Sequence, residues 1–233
     1  MEFVANSGKS VEVEVDGKIY QRHAIKTRFV TQNDDYIDLL KEYVGGIYRD
    51  GDIVSISEKI ISICQGRIVR REDVKIGRLA KFLARFATGE SARGCGVGSP
   101  IKMQYAIDKK GALRIFAAAA LGGACKMIGI KGVFYMIAGR EVTGLDGFYG
   151  AVWEEYKDIG IEIPKEPDAV CQEIKEKLGI SSMIVDANDL GQEIFGRSSD
   201  IPFEESALKK LIRDNPAGQG RQMTPLVLIR EKT

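Results

Sequence analysis

The chain has 233 residues, with 34 lysines and arginines against 33 acids, one histidine and four cysteines. A formal net charge of +1 argues against nucleic acid or an anionic membrane as the main partner, and 44% hydrophobic residues can fill a core. Cys64, Cys95, Cys125 and Cys171 lie far apart with no Cys-x-x-Cys pair, so free thiols in a reducing cytoplasm fit better than a zinc site or disulfides. The N-terminus lacks the basic and apolar regions of a signal peptide, and the longest apolar run, from Ile115 to Cys125, is too short to span a bilayer. These features predict a soluble, cytoplasmic protein.

In chain order, Val11-Glu-Val-Glu-Val15 alternates, Asp16-Gly17 turns, and Ile19-Tyr20 resumes, which predicts a hairpin. Asn33 or Asp34 is placed to cap a helix over residues 36–43, with Ile37, Leu39 and Leu40 facing the core. A strand follows over residues 52–57, then Glu58, Lys59 and the Gln65-Gly66-Arg67 turn. Residues 74–88 read as a basic helix, with Arg78, Lys81 and Arg85 outside and Ile76, Leu79, Leu83 and Phe86 inside. Residues 111–127 read as a buried helix, apolar on nearly all sides, ended or kinked at Gly122-Gly123. Val133-Phe-Tyr-Met-Ile-Ala138 reads as a buried strand. Asp168 is placed to cap a helix running to Leu178 and stopped by Gly179. Residues 183–185 form a strand, 206–213 a helix and 225–229 a last buried strand. This alternation predicts an α/β (mixed α+β) chain. One ligase-like unit over 1–233 is expected, with sub-regions 1–75, 76–138 and 139–233.

Met183-Ile-Val-Asp-Ala-Asn-Asp189 runs from an apolar strand into a polar turn. Hard cations such as magnesium take oxygen ligands, and a strand end holds them rigidly, so Asp186 and Asp189 flanking Asn188 suit a metal. A plain polar turn is the alternative. Asp146, in Gly144-Leu-Asp-Gly147, supplies another acid. Lys59, just after a strand, can reach a phosphate or stand solvated. In Arg93-Gly-Cys-Gly-Val-Gly-Ser-Pro100 the alternating glycines can present amides to an anion or form a flexible connection.

Five segments in order resemble the coenzyme F-420 gamma-glutamyl ligase family. They are residues 52–67 (through Glu58-Lys59 and Gln65-Gly66-Arg67), Gly144-Leu-Asp146, the 164–178 Pro-Lys-Glu-Pro-Asp segment, Met183-Ile-Val-Asp186, and the closing loop and strand over 218–230. The resemblance implies a ligase fold with mixed sheets and a helical, Gly/Ala-rich middle section. It implies an enzyme that uses GTP and a divalent metal, magnesium or manganese, to join glutamate by an amide bond to a carboxylated cofactor, through an acyl phosphate. By the same resemblance Asp146, Asp186 and Gln222 are metal ligands, with Asn188 and Asp189 as substitutes. Lys26, Thr27, Arg28, Phe29, Glu58, Lys59, Gly218, Gln219, Gly220 and Arg221 contact the nucleotide, and the protein is a homodimer.

Departures stand beside these matches. A family lysine falls on Ile63, the asparagine after the first aspartate on Phe148 or Tyr149, and the Ser/Thr after the second on Ala187, while an acidic ligand becomes the neutral Gln222. The stretch after Gly191 is short, so a hairpin is not expected there. Two readings follow: a ligase acting on a coenzyme F-420, folate or pterin type of acceptor, or a nucleotide- or cofactor-binding protein on the same fold that has lost catalysis.

Overall fold

The computed structural model describes the chain except residues 1, 87–89, 92–93, 96–97, 131, 149–153, 189–190, 219 and 233, with backbone only at 90, 91, 94, 95 and 140. The fold is α+β. It divides into two compact units: Met1–Arg67 with Pro164–Thr233, and Ile68–Ile163.

The first unit opens with β1 (Glu12–Val15), β2 (Lys18–Ile25), α1 (Tyr36–Tyr43), β3 (Ile53–Ser57) and α2 (Glu58–Cys64). The second unit then runs through β4 (Ile68–Arg70), α3 (Arg78–Ala84), β5 (Glu90–Ser91), β6 (Gly94–Cys95), α4 (Pro100–Lys110), α5 (Ala112–Met127), α6 (Val133–Ala138), α7 (Arg140–Thr143), β7 (Asp146–Gly147) and β8 (Ile159–Ile161). The chain returns to the first unit for α8 (Pro167–Leu178), β9 (Ser182–Asn188), β10 (Gly191–Arg197), α9 (Glu205–Leu211) and β11 (Leu226–Glu231).

In the first unit the strands form one mixed sheet in the order β1-β2-β11-β3-β9-β10, where β3 and β9 run parallel and every other pair is antiparallel. Alternation splits the strands between two cores. Val54, Ile56, Ile184, Leu226 and Leu228 meet Leu40, Ile61, Val170, Cys171 and Ile174 of α1, α2 and α8. Ile53, Met183, Val185, Val227 and Ile229 meet Ala207, Leu208 and Leu211 of α9. Two ion pairs brace this sheet. Arg230 grips the buried Asp52 through Nε (2.7 Å) and Nη2 (2.5 Å). Arg22, 1% exposed, is held by Asp214 and the carbonyl of Leu211.

In the second unit β4, β8 and β7 form a small antiparallel sheet. Ala80 and Leu83 of α3, Met103 and Ala106 of α4, Ile115 of α5, Ala138 and Val142 make a helical core. No helix among the described residues is long and apolar enough to cross a membrane.

The hairpin at Asp16-Gly17 forms as expected, with both residues at positive φ (51° and 80°). Several expectations need correction. Residues 133–138 are the helix α6, not a strand. Gly132 and Gly139, at φ 87° and 90°, bracket it, and Phe134 packs so close to Gly122 that a Cβ there would lie 3.0 Å from it. The helix α5 passes straight through Gly122-Gly123 and is largely exposed, with Ile115 and Ala118 its buried residues. The basic helix covers Arg78–Ala84, and Phe86 lies exposed beyond it. Asp35, rather than Asn33 or Asp34, caps α1, accepting from the amides of Ile37 and Asp38. Glu166 stands at the N-cap of α8, while the Asp168 carboxylate accepts from the Arg197 amide. A hairpin does follow Asp186, because β9 continues to Asn188 and pairs with β10. Of the glycine-rich segment 93–100, residues 93, 96 and 97 lie outside the described residues.

Candidate functional site

One end of the large sheet gathers most of the residues singled out in the sequence. The strand β2 ends at Ile25 opposite Leu226 of β11, and the pairing continues where the Thr27 amide donates to the Met223 carbonyl at 2.8 Å. At the same end β3 stops at Ser57, whose amide donates to the Pro225 carbonyl at 2.9 Å. Ser57 is in register with Val185 of β9. Residues 26–29, the start of α2, the tip of β9 and the loop before β11 therefore share one sheet end.

Lys26 is exposed, Thr27 buried and Phe29 half-buried. Arg28 reaches Asp34 at 2.8 Å, and this guanidinium holds the Asp34 carboxyl down at about 2. Glu58 and Lys59 are the first two residues of α2, where a carboxylate is favoured by the helix dipole. Glu58 is buried, and Lys59 Nζ lies 3.3 Å from its Oε1. Beneath them, a cavity of about 10 Å³ is lined by Thr27, Tyr36, Leu39, Ile60 and Pro225, too small for more than a water.

The residues Ile184, Asp186 and Asn188 share one face of β9. Asn188 Oδ1 accepts from the Gly191 amide at 3.1 Å, pinning the hairpin. Asp186 is half-buried, and its carboxylate makes no hydrogen bond or ion pair with any described residue. It stands directly opposite Glu193 of β10. Opposed residues of an antiparallel pair put their side chains on the same face, so two carboxylates are neighbours there. Sequence reasoning missed Glu193. The signal was the pairing of Asn188 with Gly191, from which counting outward sets Asp186 against Glu193. Asp189 lies outside the described residues.

The loop before β11 is tightly turned, with positive φ at Asn215 (51°), Gly218 (75°) and Met223 (56°). The Gln222 side chain folds back over it, so that a Cβ on Gly218 or Gly220 would come within 3.0 Å of its amide group. Its Oε1 accepts from the Gly220 amide at 2.6 Å. The oxygen expected to ligate a metal is thus engaged within the loop. Arg221 is exposed, and Gln219 lies outside the described residues.

Asp146 belongs to the second unit. It pairs across β7 and β8 with Ile161, and its Oδ1 accepts from its neighbour's amide, that of Gly147, at 2.9 Å. Phe148, at φ 60°, follows under the guanidinium of Arg71. Among the described residues no three His, Cys, Asp or Glu side chains are gathered to hold a metal ion. A pair of carboxylates with an amide oxygen nearby is still the donor chemistry a hard cation takes, and the uncommitted Asp186 fits that role where Gln222 does not.

The departures also find places. Ile63 is 1% exposed, so the family's lysine position is core here. Ala187 packs on the α9 side of the sheet. Cys64, Cys125 and Cys171 are free thiols, and burial pushes Cys64 and Cys171 up to about 12.

The family model of F420-0:gamma-glutamyl ligase matches residues 24–187. That span begins within β2 and ends one residue past Asp186. It contains residues 26–29, Glu58, Lys59, Asp146 and Asp186, and leaves out Glu193 and the Gln222 loop. The chain is also similar to the uncharacterized protein MJ1361 of Methanocaldococcus jannaschii, at 26% identity over 179 residues, which cover 71% of this chain and 56% of the relative. The chain thus spans about half the length of that curated relative.

Proposed function

The chain belongs to the F420-0:gamma-glutamyl ligase family, and from that premise we propose that it joins L-glutamate by an amide bond to the carboxylate of a small-molecule cofactor, using GTP and a divalent metal. The acceptor is of coenzyme F-420 type or of folate or pterin type. The observation that carries the reading is the convergence, at one sheet end, of residues 26–29, Glu58-Lys59, Asp186 and the glycine-containing loop before β11.

In this reading Lys59 supplies positive charge for the nucleotide's phosphates, and the buried Glu58 beside it fixes that lysine near the helix start. The loop before β11 lies at the same sheet end. Asp186, with Glu193 across the hairpin, would hold the cation, which when bound neutralises charge on the phosphates. The cofactor's carboxylate takes the terminal phosphoryl group, and the glutamate amine then displaces phosphate from the acyl carbon.

A second reading, a binding protein without catalysis, is favoured by the buried Ile63 and by the engaged oxygen of Gln222. Calorimetric titration of GTP, then ATP, with and without magnesium or manganese, separates the readings when paired with phosphate release. Metal-dependent binding that Asp186→Ala abolishes, with phosphate released only when glutamate and an acceptor are present, is expected of the ligase. Binding without release under any acceptor leaves the second reading. No binding of either nucleotide overturns the ligase reading and leaves a binding protein for another ligand.

A further inference from the structure

The loop before β11 holds a strained shape. Asn215 and Met223 take positive φ, 51° and 56°, where a side chain is disfavoured, and Gly218 turns between them at 75°. Such a backbone keeps one shape only where its surroundings hold it. Part of that hold is internal. The Gly218 amide donates to the Asn215 carbonyl at 3.0 Å, and Asn215 Nδ2 donates to the Gly218 carbonyl at 3.1 Å.

Another part comes from far along the chain. Asn6 Nδ2 donates to the Pro216 carbonyl and to Thr224 Oγ1, both at 2.8 Å. Thr224 Oγ1 in turn donates to the Ala217 carbonyl at 2.8 Å. A carbonyl oxygen only accepts, so the Asn6 group that faces Pro216 is the NH2, and both of its hydrogens are engaged. Through this relay one side chain joins the entry of the loop, Pro216-Ala217, to its exit at Thr224. Asn6 is half-buried and Thr224 buried.

Asn6 also stands between two fixed points. On one side the Val4 amide donates to His23 Nδ1 at 3.0 Å, and the Ala24 amide donates to the Val4 carbonyl at 2.8 Å. The Phe3 ring meets His23 edge-on, 5.7 Å between centroids. On the other side the Ser10 amide donates to Asp214 Oδ2 at 3.2 Å, and Arg22 Nη2 donates to the Ser10 carbonyl at 2.5 Å. Asp214 directly precedes the loop and is itself gripped by Arg22. Residues 3–10 thus form a strap tied to β2 at both ends, with Asn6 as its clasp on the loop.

Given the proposed ligase site, in which this loop meets the nucleotide, we propose that Asn6 is a positioning residue for nucleotide binding: its amide clasps the two stems of the loop and fixes the shape that GTP meets. It acts through the loop. A loop shaped before the nucleotide arrives does not have to be ordered on binding.

Hydrogen exchange of residues 216–224 and calorimetric titration of GTP with manganese, both on the full chain, test this. Asn6→Ala removes the clasp, and Asn6→Asp keeps its shape but turns an oxygen toward the Pro216 carbonyl. Each is expected to speed exchange of the segment by about tenfold through the loss of the hydrogen bonds to Pro216 and Thr224. Each is also expected to weaken GTP at least about threefold, since apparent affinity falls with the fraction of molecules in the binding shape. Thr224→Val should repeat both effects, and Thr224→Ser, which keeps the hydroxyl, should stay close to the parent. Faster exchange with unchanged GTP affinity is what a merely structural tie would give, and it overturns the proposal. Unchanged exchange overturns it whatever the affinity. No binding of GTP by the parent chain overturns the ligase site and the positioning role with it. That result stays distinct from a failed clasp, because exchange reports on the loop without nucleotide.

Discussion

The Asp186 and Glu193 pair makes a quantitative prediction that separates a ligand site from a structural contact. Replacing Asp186 by Asn keeps size and shape and removes one charge. The two residues are directly opposed in an antiparallel register, and Asp186 has no partner among the described residues to offset the repulsion. Two unit charges about 6 Å apart at an effective dielectric of about 60 repel by about 0.9 kcal/mol. Because Glu193 is exposed, solvent screening reduces this to about 0.5 kcal/mol, within the range for cross-strand pairs. At about 2–4 °C per kcal/mol for a chain of this size, Asp186→Asn should raise the metal-free melting midpoint by about 1–2 °C. Scanning calorimetry at low ionic strength reads the shift, and added salt should shrink it. The same variant should lose the stabilisation that manganese gives the parent chain, since a ligand raises stability only by binding the folded state. A variant that melts lower than the parent without metal would refute the reasoning, because Asp186 would then be holding the structure together rather than straining it.

Asp52→Asn should cost the first unit about 2–4 kcal/mol, because it leaves the guanidinium of Arg230 beside a buried neutral amide, and urea unfolding followed by circular dichroism reads the loss. Gly147→Ala should cost the second unit at least about 2 kcal/mol, since φ is 90° and the new Cβ would lie 2.3 Å from the Ile159 carbonyl oxygen; thermal melting of the variant checks it. The raised thiols of Cys64 and Cys171 favour the protonated form in the fold, so their contribution is complete below the ordinary value of 9.0 and is lost as pH climbs from there toward about 12. Thiol titration at pH about 8 should accordingly find both slow until the protein is denatured. Asp34, held down at about 2 chiefly by Arg28 with help from the Thr31 amide and hydroxyl, contributes above its ordinary 3.8 and loses that as pH falls toward 2, and the loss should shrink in Arg28→Gln measured by acid unfolding.

The elements with a local chemical cause were legible in the sequence. Asp16-Gly17 specifies its hairpin because both positions need positive φ, and Gly179 stops α8 at φ 71° for the same reason. The readings that failed lacked such a cause. Six apolar residues from Val133 to Ala138 satisfy strand and short helix equally, and the decision came from Gly132, Gly139 and the close approach of Phe134 to Gly122. At the candidate site, Asp186 could be found from the strand running into it and Lys59 from its place just after a strand, whereas residues 26–29 and Glu58 were found only through the family resemblance. Glu193 needed the register of a hairpin that the sequence reading did not expect. The fate of Gln222 needed a side chain folded over two glycines, a contact no spacing rule encodes.

Charge shows the same difference between a local pattern and a whole-chain average. A net charge of +1 describes the whole chain, but a charge acts over about one Debye length, roughly 8 Å at physiological ionic strength. The relevant quantity is therefore the balance within a segment, and here residues 74–140 carry ten more basic residues than acidic ones, from 12 against two. The rest of the chain must be correspondingly acidic to return the total to +1, and Asp186 with Glu193 belongs to that acidic remainder. Apolarity averages badly in the same way. A helix apolar all round reads as buried on its mean composition, yet α5 buries one side with Ile115 and Ala118 and presents the other to solvent. An apolar face left outside a basic segment is stable in water only at a cost of exposed hydrocarbon, about 25 cal/mol for each Å². The distribution of apolar residues around the helix, rather than their mean, therefore decides which side is buried.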